Sequence, residues 1–399
     1  MTRNADGPAD DVHETPRVVC AGHVNWDVTM QVEQLPEPDG ERPIDHLRQA
    51  GGGSAANVAT GLSGFGVRAE LFGSVGDDDP GTLTLRELDR SGVDCDPVSV
   101  REDRRTSVKY LIVDAAGEVM VLSASGANEA YTAADLPAAR LADLDHLHLT
   151  GQDPEVATEL ARAAADHGAA VSFDPGRRIG DRGYTSAFEY VDVLLVNRRE
   201  AATLEEAGFD PAATGAPTLV VKLGSEGAAV RDPTAGATDI ADAADAVDTT
   251  GTGDTTGTGD TAGTVDTAER DRCRVPAFPA DPVDTTGAGD AFAAGFIAAC
   301  FESARGREPE IGNELGPELA ADADAGDSAD HAGSSRGIPG ATAPHLRTAD
   351  LGYALRIGNA AGALATQEYG ARTRLTWDRI DAFIDEHDPG NGTGGDPTV

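Results

Sequence analysis

Lysine is almost absent from this chain. Among 31 basic and 69 acidic residues in 399, only Lys109 and Lys222 are lysines, and the formal net charge is −38. Such an acidic surface repels nucleic-acid phosphates and anionic lipids, so neither nucleic acid nor a membrane is an expected partner. The composition is typical of proteins from a salt-rich cytosol, where ions screen the self-repulsion of the folded chain.

Cysteines and long apolar runs are also scarce. The four cysteines show no CxxC pair and no spacing typical of metal ligands, so we expect free thiols in a reducing compartment. No apolar run approaches the ~20 residues that a membrane-spanning helix needs. These absences lead us to expect a cytoplasmic protein.

Apolar strands alternate with alanine-rich amphipathic helices along most of the chain. The predicted strands are residues 17–22, 69–75, 146–150, 170–174, 193–197 and 218–222. This alternation predicts an α/β fold with a doubly wound, mostly parallel sheet, whose ligands gather at the carboxyl ends of the strands. Extended, alternating pieces in residues 25–50 and 98–125 predict a small antiparallel β-sheet that acts as a lid.

Four segments do not follow this pattern. Residues 1–16 and 389–399 are expected to be disordered tails. Residues 233–280 and 302–348 are rich in Asp, Gly, Ala, Thr and Pro and lack hydrophobic periodicity. We expect both to be solvated insertions in one domain that spans 17–388, because the entropy of loop closure grows slowly with length.

The segment PVDTTGAGDAF, residues 282–292, predicts an extended piece, a glycine turn and an apolar helix from Ala291 to Phe301. The backbone N–H groups of Gly287, Ala288 and Gly289 would lack helical partners at this helix start and would favour an anion. Asp290 would repel a bound phosphate. Its presence is explained if it accepts a proton from a hydroxyl that attacks a phosphoryl group. A simple acidic helix cap is the alternative interpretation.

Nearly the same heptad occurs twice more, as DTTGTGD at residues 248–254 and 254–260. Only the copy that ends at Asp290 is followed by residues that could bury a helix face. The other two are followed by more Thr, Gly and Asp, a composition that cannot form a core. We predict that these two copies have no catalytic role.

Further motifs follow one another along the chain. They are NWD at 25–27, GGSAAN at 52–57, GSVGDD at 73–78, NRRE at 197–200, KLGSEG at 222–227 and DTTGAGD at 284–290. Their identity and order resemble the PfkB family, the ribokinase-like carbohydrate kinases, over residues 17–385 apart from the insertions. The chain is identified as a haloarchaeal-type member of that family. The resemblance implies a ribokinase-like fold and phosphoryl transfer from ATP to a primary hydroxyl, with Mg²⁺; ADP as donor stays open.

The acceptor side can be interpreted from residue chemistry. Asn25 and Asp27, on one face of an extended segment, can hold a vicinal diol, although they could also be a turn-forming pair. Gly52 and Gly53 allow close backbone approach, and Asn57 can donate to a hydroxyl.

Cations near the acceptor would favour an anionic substrate. By the resemblance, Lys109 on the lid faces the sugar, and Arg177 or Arg178 follows strand 170–174 at its carboxyl end. A lysine in a chain that has almost none therefore suggests a charged acceptor. A lysine on the outer face of the lid is the alternative interpretation.

The nucleotide and metal residues are implied by the resemblance. Asn197 and Glu200 would organise Mg²⁺ through water, although a helix cap with Glu at its third position is the alternative. Lys222, Gly224 and Gly227 would form the nucleotide loop, with Asn359 near the adenine. Asp284 and Thr286 would hold a monovalent cation such as K⁺.

A diol site combined with added cations favours ribose 1-phosphate, phosphorylated at O5 to ribose 1,5-bisphosphate in pentose or nucleoside degradation. A 2-keto-3-deoxygluconate kinase, ribokinase, fructokinase or nucleoside kinase remains an alternative. So does a sugar or nucleotide sensor that lacks catalysis, although binding alone does not require Asp290. We also expect a homodimer formed through the lid.

Overall fold

The computed structural model describes residues 15–36, 39–115, 119–208, 218–231, 271–305, 338, 341 and 343–387. The C-terminal tail, both DTTGTGD copies, and most of the N-terminal tail and the two expected insertions lie outside these residues. The described strands are β1 Arg17–Ala21, β2 Asn25–Gln31, β3 His46–Gly52, β4 Arg68–Gly76, β5 Val98–Arg101, β6 Ser107–Val113, β7 Val119–Ala124, β8 His146–Thr150, β9 Ala170–Asp174, β10 Val193–Asn197, β11 Thr218–Lys222, β12 Ala228–Arg231 and β13 Asp271–Val275.

The described helices flank these strands. They are α1 Ser54–Gly64, α2 Asp79–Arg90, α3 Ala138–Leu141, α4 Pro154–Asp166, α5 Thr185–Phe188, α6 Arg198–Glu206, α7 Ala288–Ala304, α8 Pro344–Thr348, α9 Leu351–Thr366 and α10 Trp377–His387. None of the helices within the described ranges is both long enough and apolar enough to cross a membrane.

The large sheet has nine strands in the order β13-β12-β11-β10-β9-β8-β1-β4-β5. All neighbours from β11 to β5 pair in parallel, whereas β12 and β13 add an antiparallel edge. The central strands are apolar and buried on both faces, as a parallel sheet covered by helices requires. The predicted fold class is confirmed, and the six predicted strands match the observed bounds to within one residue.

A second sheet of four strands, in the order β3-β2-β6-β7, forms the lid. The prediction for this region needs two corrections. First, β5, which falls inside the expected lid segment 98–125, pairs with β4 in the large sheet. Second, the lid is mixed, because β2 and β6 are parallel while the β2–β3 and β6–β7 pairs are antiparallel.

The bounds expected for the two insertions also need correction, because both ranges include residues that form helices or strands. Residues 271–275, assigned to the first insertion, form β13 and pair with β12. Helix α7 continues to Ala304, and α8 with its buried Leu346 lies inside the expected second insertion. Residues near these ends are therefore part of the packed structure.

Helices cover both faces of the large sheet. On one face the core includes α1, α7, α9 and α10, and on the other α4, α5 and α6. Helices α7 and α9 pack closely at Gly295, where an added Cβ would lie 2.9 Å from the Ala361 Cβ. Cys20 and Cys300 are buried, and all four cysteines are free thiols as expected. This packing holds the amino terminus of α7 at the carboxyl ends of the strands.

Candidate active site

The glycine turn that the sequence predicts lies before α7, but the helix begins at Ala288 rather than at the predicted Ala291. The Ala288 N–H donates to the Thr285 oxygen at 3.3 Å, so it is not available to an anion as predicted. Gly287 is the N-cap of α7, with a φ of +79°. A Cβ at this position would come within 2.5 Å of the Ala371 carbonyl oxygen, so only glycine fits. Ala291 makes the first helical bond, to the Gly287 oxygen at 2.8 Å. The N–H groups of Gly289 and Asp290 precede that bond and lie at the positive end of the helix dipole.

Asp290 lies in the first turn of α7 and contacts α1. The Asn57 Nδ2 donates to the Asp290 Oδ2 across 2.7 Å. Burial raises the pKa of Asp290 to about 6, against the lowering effect of the Asn57 hydrogen bond. The negative charge of Asp174 raises this pKa further, whereas the positive charges of Lys222 and Lys109 lower it. Asp290 is therefore mostly ionised at neutral pH and can accept a proton there.

Three neighbouring strands, β9, β10 and β11, each end in a polar residue beside this turn. These residues are Asp174, Asn197 and Lys222. The Lys222 Nζ donates to the Asp174 Oδ2 at 2.5 Å. The same nitrogen lies beside Gly289, where an added Cβ would be 3.4 Å from it. Burial opposes protonation of Lys222, but the charge and hydrogen bond of Asp174 raise the pKa of the ammonium. A fixed cation therefore lies next to the amino terminus of α7.

Asn197 and Glu200 form the capping box that was the alternative interpretation of their motif. The Asn197 Oδ1 accepts from the Glu200 N–H at 2.9 Å, and the Glu200 Oε2 accepts from the Asn197 N–H at 2.9 Å. Burial and the nearby charge of Asp174 raise the pKa of Glu200. Two carboxylates that destabilise each other's charge favour a cation between or beside them.

No cluster of three or more metal-ligating side chains occurs among the described residues. Mg²⁺ keeps much of its water shell and binds proteins through one or two carboxylates plus phosphates. Glu200 and Asp174 are the carboxylates that fit this mode of binding. Bound there, Mg²⁺ would neutralise phosphate charge.

The predicted nucleotide loop is a tight turn between β11 and β12. Leu223 donates its N–H to the Gly227 oxygen at 2.8 Å, and Gly224 and Gly227 have φ of +64° and +96°. A Cβ at Gly227 would lie 2.0 Å from the Val275 oxygen. Asn359 is buried and donates its amide to the Val275 and Pro276 oxygens, both at 3.1 Å. Asn359 thus ties α9 to the end of β13, on the same side as the loop.

The residues expected on the acceptor side begin with β2 of the lid. Asn25 is fully buried, and its Nδ2 has no hydrogen-bond partner; the buried Oδ1 of Asp27 likewise has none. Asp27 packs against Gly52, where a Cβ would lie 2.1 Å from the Asp27 Oδ2. Burial raises the pKa of Asp27, while the charges of Lys109 and Arg372 lower it. Lys109 is the register neighbour of Asp27 on β6, so both side chains lie on the same face of the lid.

The expected monovalent-cation loop is held to the segment after α9. The Asp284 Oδ1 accepts from the Thr286 N–H, and its Oδ2 accepts from the Gly370 N–H, both at 2.9 Å. Gly370 has a φ of +100°, and the guanidinium of Arg48 on β3 lies against it. Asp284 and Thr286 are thus brought together, with a cationic side chain of the lid beside them.

The pfkB family carbohydrate kinase profile matches residues 15–273 and 262–316, which is most of the chain. The chain belongs to the pfkB family of carbohydrate kinases. It is a phosphotransferase that acts on a sugar hydroxyl.

Relatives and solved structures agree with this identification. An ATP-dependent ribose-1-phosphate kinase from Halopiger xanaduensis is 50% identical over 220 residues, which cover 55% of this chain and 74% of that protein. A nucleoside kinase from Methanocaldococcus jannaschii is 26% identical over 54% of this chain and 72% of its own. The structure of ribokinase from Thermotoga maritima has a TM-score of 0.62, with 20% identity, and covers 93% of this chain and all of that one (100%). That structural likeness shows the fold.

The arginines expected beside the acceptor occupy a different place in this kinase. Arg177 and Arg178 lie on a single helical turn after β9, and both side chains are exposed. The charge of Arg177 acts on Glu200. The structure therefore brings Lys109 to Asp27 and Asp290 but does not join Arg178 to that group.

Sequence reasoning missed Asn128, which supports Asn25, and its neighbour Glu129. Asn128 donates its Nδ2 to the Asn25 Oδ1 at 2.6 Å and accepts from the Val24 N–H at 3.2 Å. The next residue, Glu129, has a φ of +63° and bonds His23 and Arg182, each at 2.8 Å. Burial raises the pKa of Glu129, but the hydrogen bonds from His23 and Arg182 hold it down at about 2. The sequence GAN at residues 126–128, a turn followed by an amide, was the available signal.

Asp174 and Arg372 were also missed. Asp174 ends a strand that the sequence predicts, so its position at the ligand-binding edge could have been found by the rule used for Asn197. Arg372 follows the Gly370 turn and reaches residues more than 280 positions away, at Gly52, Asn57 and Glu87. No local sequence pattern predicts such a contact.

Proposed function

We propose that this kinase transfers the γ-phosphoryl group of ATP to O5 of ribose 1-phosphate, which yields ADP and ribose 1,5-bisphosphate. The relative from Halopiger xanaduensis that is 50% identical over 220 residues is a ribose-1-phosphate kinase, which supports this acceptor. The strongly acidic composition supports a salt-rich cytoplasm as the place of action.

One observation carries the proposal for the acceptor. A buried donor, the Asn25 Nδ2, and a buried acceptor, the Asp27 Oδ1, have no hydrogen-bond partners in the described structure. Leaving such groups unpaired costs about 1–3 kcal/mol each. A vicinal diol supplies one oxygen to accept from the amide and one hydroxyl to donate to the carboxylate. The 2- and 3-hydroxyls of a ribose have this arrangement, so sugar binding would remove both penalties.

Asp290 is the general base of the proposed reaction. Its carboxylate accepts the O5 proton while O5 attacks the γ-phosphorus, and the bond from that phosphorus to the bridging oxygen of ADP breaks. The N–H groups of Gly287 and Gly289 and the ammonium of Lys222 stabilise the negative charge on the transferred phosphoryl group. An ionised Asp290 would repel phosphate if it served only for binding, so its position favours catalysis over sensing.

The other ligand sites follow from the same arrangement. Lys222 and the Gly224 to Gly227 turn face the ATP phosphates, with Asn359 on the adenine side, and Glu200 holds Mg²⁺ through water. Asp284 and Thr286 bind K⁺, and Arg48 beside Gly370 modulates that affinity by its charge.

An anionic acceptor is proposed because Lys109, one of two lysines, lies near both Asp27 and Asp290. Arg178, which is exposed, would join the 1-phosphate only through a change of rotamer. Nucleoside kinases among the relatives make a neutral ribonucleoside the second candidate.

The proposal is tested with purified kinase, ATP, Mg²⁺ and concentrated KCl on five acceptors: ribose 1-phosphate, ribose, fructose, 2-keto-3-deoxygluconate and adenosine. We expect the highest kcat/KM for ribose 1-phosphate, and ATP should exceed ADP as donor. Asp290→Asn should lower kcat at least about 10²-fold while the Kd for ATP is retained. A preference for a neutral acceptor would reject ribose 1-phosphate as substrate, and near-normal turnover of Asp290→Asn would reject the base.

We also propose a homodimer formed through the lid. The face of the lid opposite Asp27 and Lys109 carries large apolar side chains with exposures of 57% for Leu47, 55% for Leu122, 40% for Tyr110 and 39% for Met120. A patch of this kind on a highly charged chain is typical of an interface, and a second copy supplies a matching one. Light scattering should give twice the chain mass of 40.9 kDa, and Leu122→Lys should give monomers. A monomeric wild-type protein would reject the dimer.

A further inference from the structure

Arg372 is a buried cation that lies under the glycine turn before α1. Its side chain is only 10% exposed. The guanidinium has three contacts: Nη2 donates to the Gly52 oxygen at 3.0 Å, Nε donates to the Asn57 Oδ1 at 3.3 Å, and Nη1 lies 3.5 Å from the Glu87 Oε2. The same Glu87 oxygen accepts from the Gly51 N–H at 2.9 Å. Arg372 therefore connects the turn, α1 and α2.

These contacts fix which way the Asn57 amide faces. An arginine can only donate hydrogen bonds, so the atom of Asn57 that faces it must be the oxygen. The amide nitrogen must then point the other way, and there it donates to Asp290 at 2.7 Å. If the amide were reversed, its oxygen would face the Asp290 carboxylate and its N–H₂ group would face the guanidinium, so both contacts would be repulsive.

We infer that Arg372 is a positioning residue for phosphoryl transfer: it orients Asn57 so that the amide donates to Asp290, and it holds the Gly52 carbonyl in the turn against which Asp27 packs. The inference rests on the proposed role of Asp290 as the base. Arg372 contacts Gly52, Asn57 and Glu87, and it acts on Asp290 through Asn57.

The charges around this group are consistent with such a role. Burial lowers the pKa of Arg372 to about 10, partly offset by the negative charges of Glu87 and Asp27, so the guanidinium stays charged near neutral pH. Four other groups face Asp290: Asn57 from α1, Asp174 from β9, Lys222 from β11 and Lys109 from the lid. Of these, Asn57 is the one whose effect on Asp290 changes sign with its rotamer.

The direction of the expected change follows from the hydrogen bond. The bond from Asn57 lowers the pKa of Asp290. Loss of Arg372 frees the amide to turn, so the pKa of Asp290 should rise and the base should be protonated over a wider pH range. The acid limb of the kcat/KM profile should therefore move to higher pH.

The experiment uses the full-length chain with ATP, Mg²⁺ and the acceptor that the panel identifies, from pH 5 to 9. Arg372→Met keeps the apolar stem and should lower kcat about tenfold at pH 7, the size of one charge-assisted hydrogen bond. It should shift the acid limb upward by about one pH unit, since one pKa unit is equivalent to about 1.4 kcal/mol. The KM for ATP should change less than twofold.

A matched control is available on the same segment. Arg379 is half-buried and, like Arg372, lies close to a glutamate, with 2.6 Å to Glu368, but it does not contact Asn57. Arg379→Met should leave the position of the acid limb unchanged. If Arg372→Met is poorly folded by circular dichroism, Arg372→Lys replaces it, because lysine keeps the charge but cannot bond Asn57 and Gly52 with one planar fork. It should shift the limb in the same direction.

A double-mutant cycle separates positioning from general damage. In an Asn57→Ala background, Arg372→Met should change kcat less than twofold further, because the residue through which it acts is gone. Fully additive losses, or an acid limb that stays in place, would overturn the inference. The base itself is checked separately: if Asp290→Asn is inactive while the cycle is additive, only the role of Arg372 fails, whereas an active Asp290→Asn removes the basis of both.

Discussion

Lys222 donates a hydrogen bond to the carboxylate of Asp174 at 2.5 Å, and this pair joins the carboxyl ends of β11 and β9 across β10. The pair lies beside the amino terminus of α7. Its two charges act on Asp290 in opposite directions, since Asp174 raises the pKa of Asp290 and Lys222 lowers it. The pKa of about 6 is thus a balance that single substitutions can shift.

Lys222→Met should raise the pKa of Asp290 above about 6, because the nearby positive charge is lost and Asp174 is left unpaired. Since the base works only when ionised, the acid limb of the kcat/KM profile should move to higher pH, and the KM for ATP should rise. Profiles from pH 5 to 9 check this shift. Lys222→Arg, which keeps the charge, is the control; an unmoved limb in Lys222→Met would contradict the expected coupling.

Lys109→Met should raise the KM for ribose 1-phosphate roughly ten- to a hundredfold, because one charge-assisted contact of ~1.5–3 kcal/mol is lost. Any weak activity on neutral ribose should fall much less, since the apolar stem remains. Steady-state kinetics on both acceptors give the comparison. Equal losses on the two substrates would mean that Lys109 does not bind the phosphate.

Replacement of residues 248–263 by a Gly/Ser linker of equal length should leave kcat and KM within a few-fold of wild type. The DTTGTGD copies in this segment lack a following sequence that could form a packed helix. Activity assays and the thermal midpoint provide the measurement. Loss of turnover in a variant that keeps its thermal midpoint would show that the wrong copy of the motif was assigned to catalysis.

Three buried histidines predict a loss of stability in acid. His146 bonds His345 at 3.1 Å and Ser172 at 2.7 Å, and Ser172 also bonds His148 at 2.8 Å. Burial lowers the pKa of His345 to about 3 and that of His148 to about 4, and it lowers the pKa of His146 as well. All three are neutral in the folded protein but gain protons when it unfolds below about pH 6.5.

The variant His345→Gln isolates one of these groups. The stability from a neutral His345 is present above its unfolded pKa of about 6.5 and is lost as the pH falls toward 3. Between pH 7 and pH 5, the free energy of unfolding of wild type should therefore drop about 2 kcal/mol more than that of His345→Gln. Denaturant titrations at constant KCl measure this difference. The raised pKa of Asp290 makes an opposite contribution to the pH dependence of stability, but it is the same in both proteins and therefore cancels in the comparison. Parallel curves for the two proteins would show that His345 is protonated in the folded state.

Much of the fold could be predicted from local patterns. The central strands of the large sheet are continuous apolar runs, because a buried parallel strand needs apolar side chains on both faces. The edge strands β5 and β13 were misassigned. β13 has the sequence DRCRV, in which three of five residues are charged, as an edge strand allows, so it lacks the apolar run that marks the central strands.

The residues of the candidate site likewise differ in how far local sequence could locate them. Asp290, Gly287 and the Asn25/Asp27 pair were found because their chemistry depends on neighbours in sequence: a glycine turn before a helix, or two residues on one face of a strand. Arg178 was placed beside the acceptor from its position after a strand, which fixes the edge of the sheet but not the direction of a side chain.

The sequence by itself determined the order of strands and helices, the glycine turn at Gly287 and the excess of acidic charge, because these follow from spacing and composition. Only the tertiary structure decided that Asn128 supports Asn25, that Lys222 pairs with Asp174 and that Arg372 reaches Asn57. Those contacts join residues 103, 48 and 315 positions apart. Long-range contacts depend on how the strands and helices pack. A pair of charged or amide side chains produces no periodic sequence pattern from which the contact could be predicted.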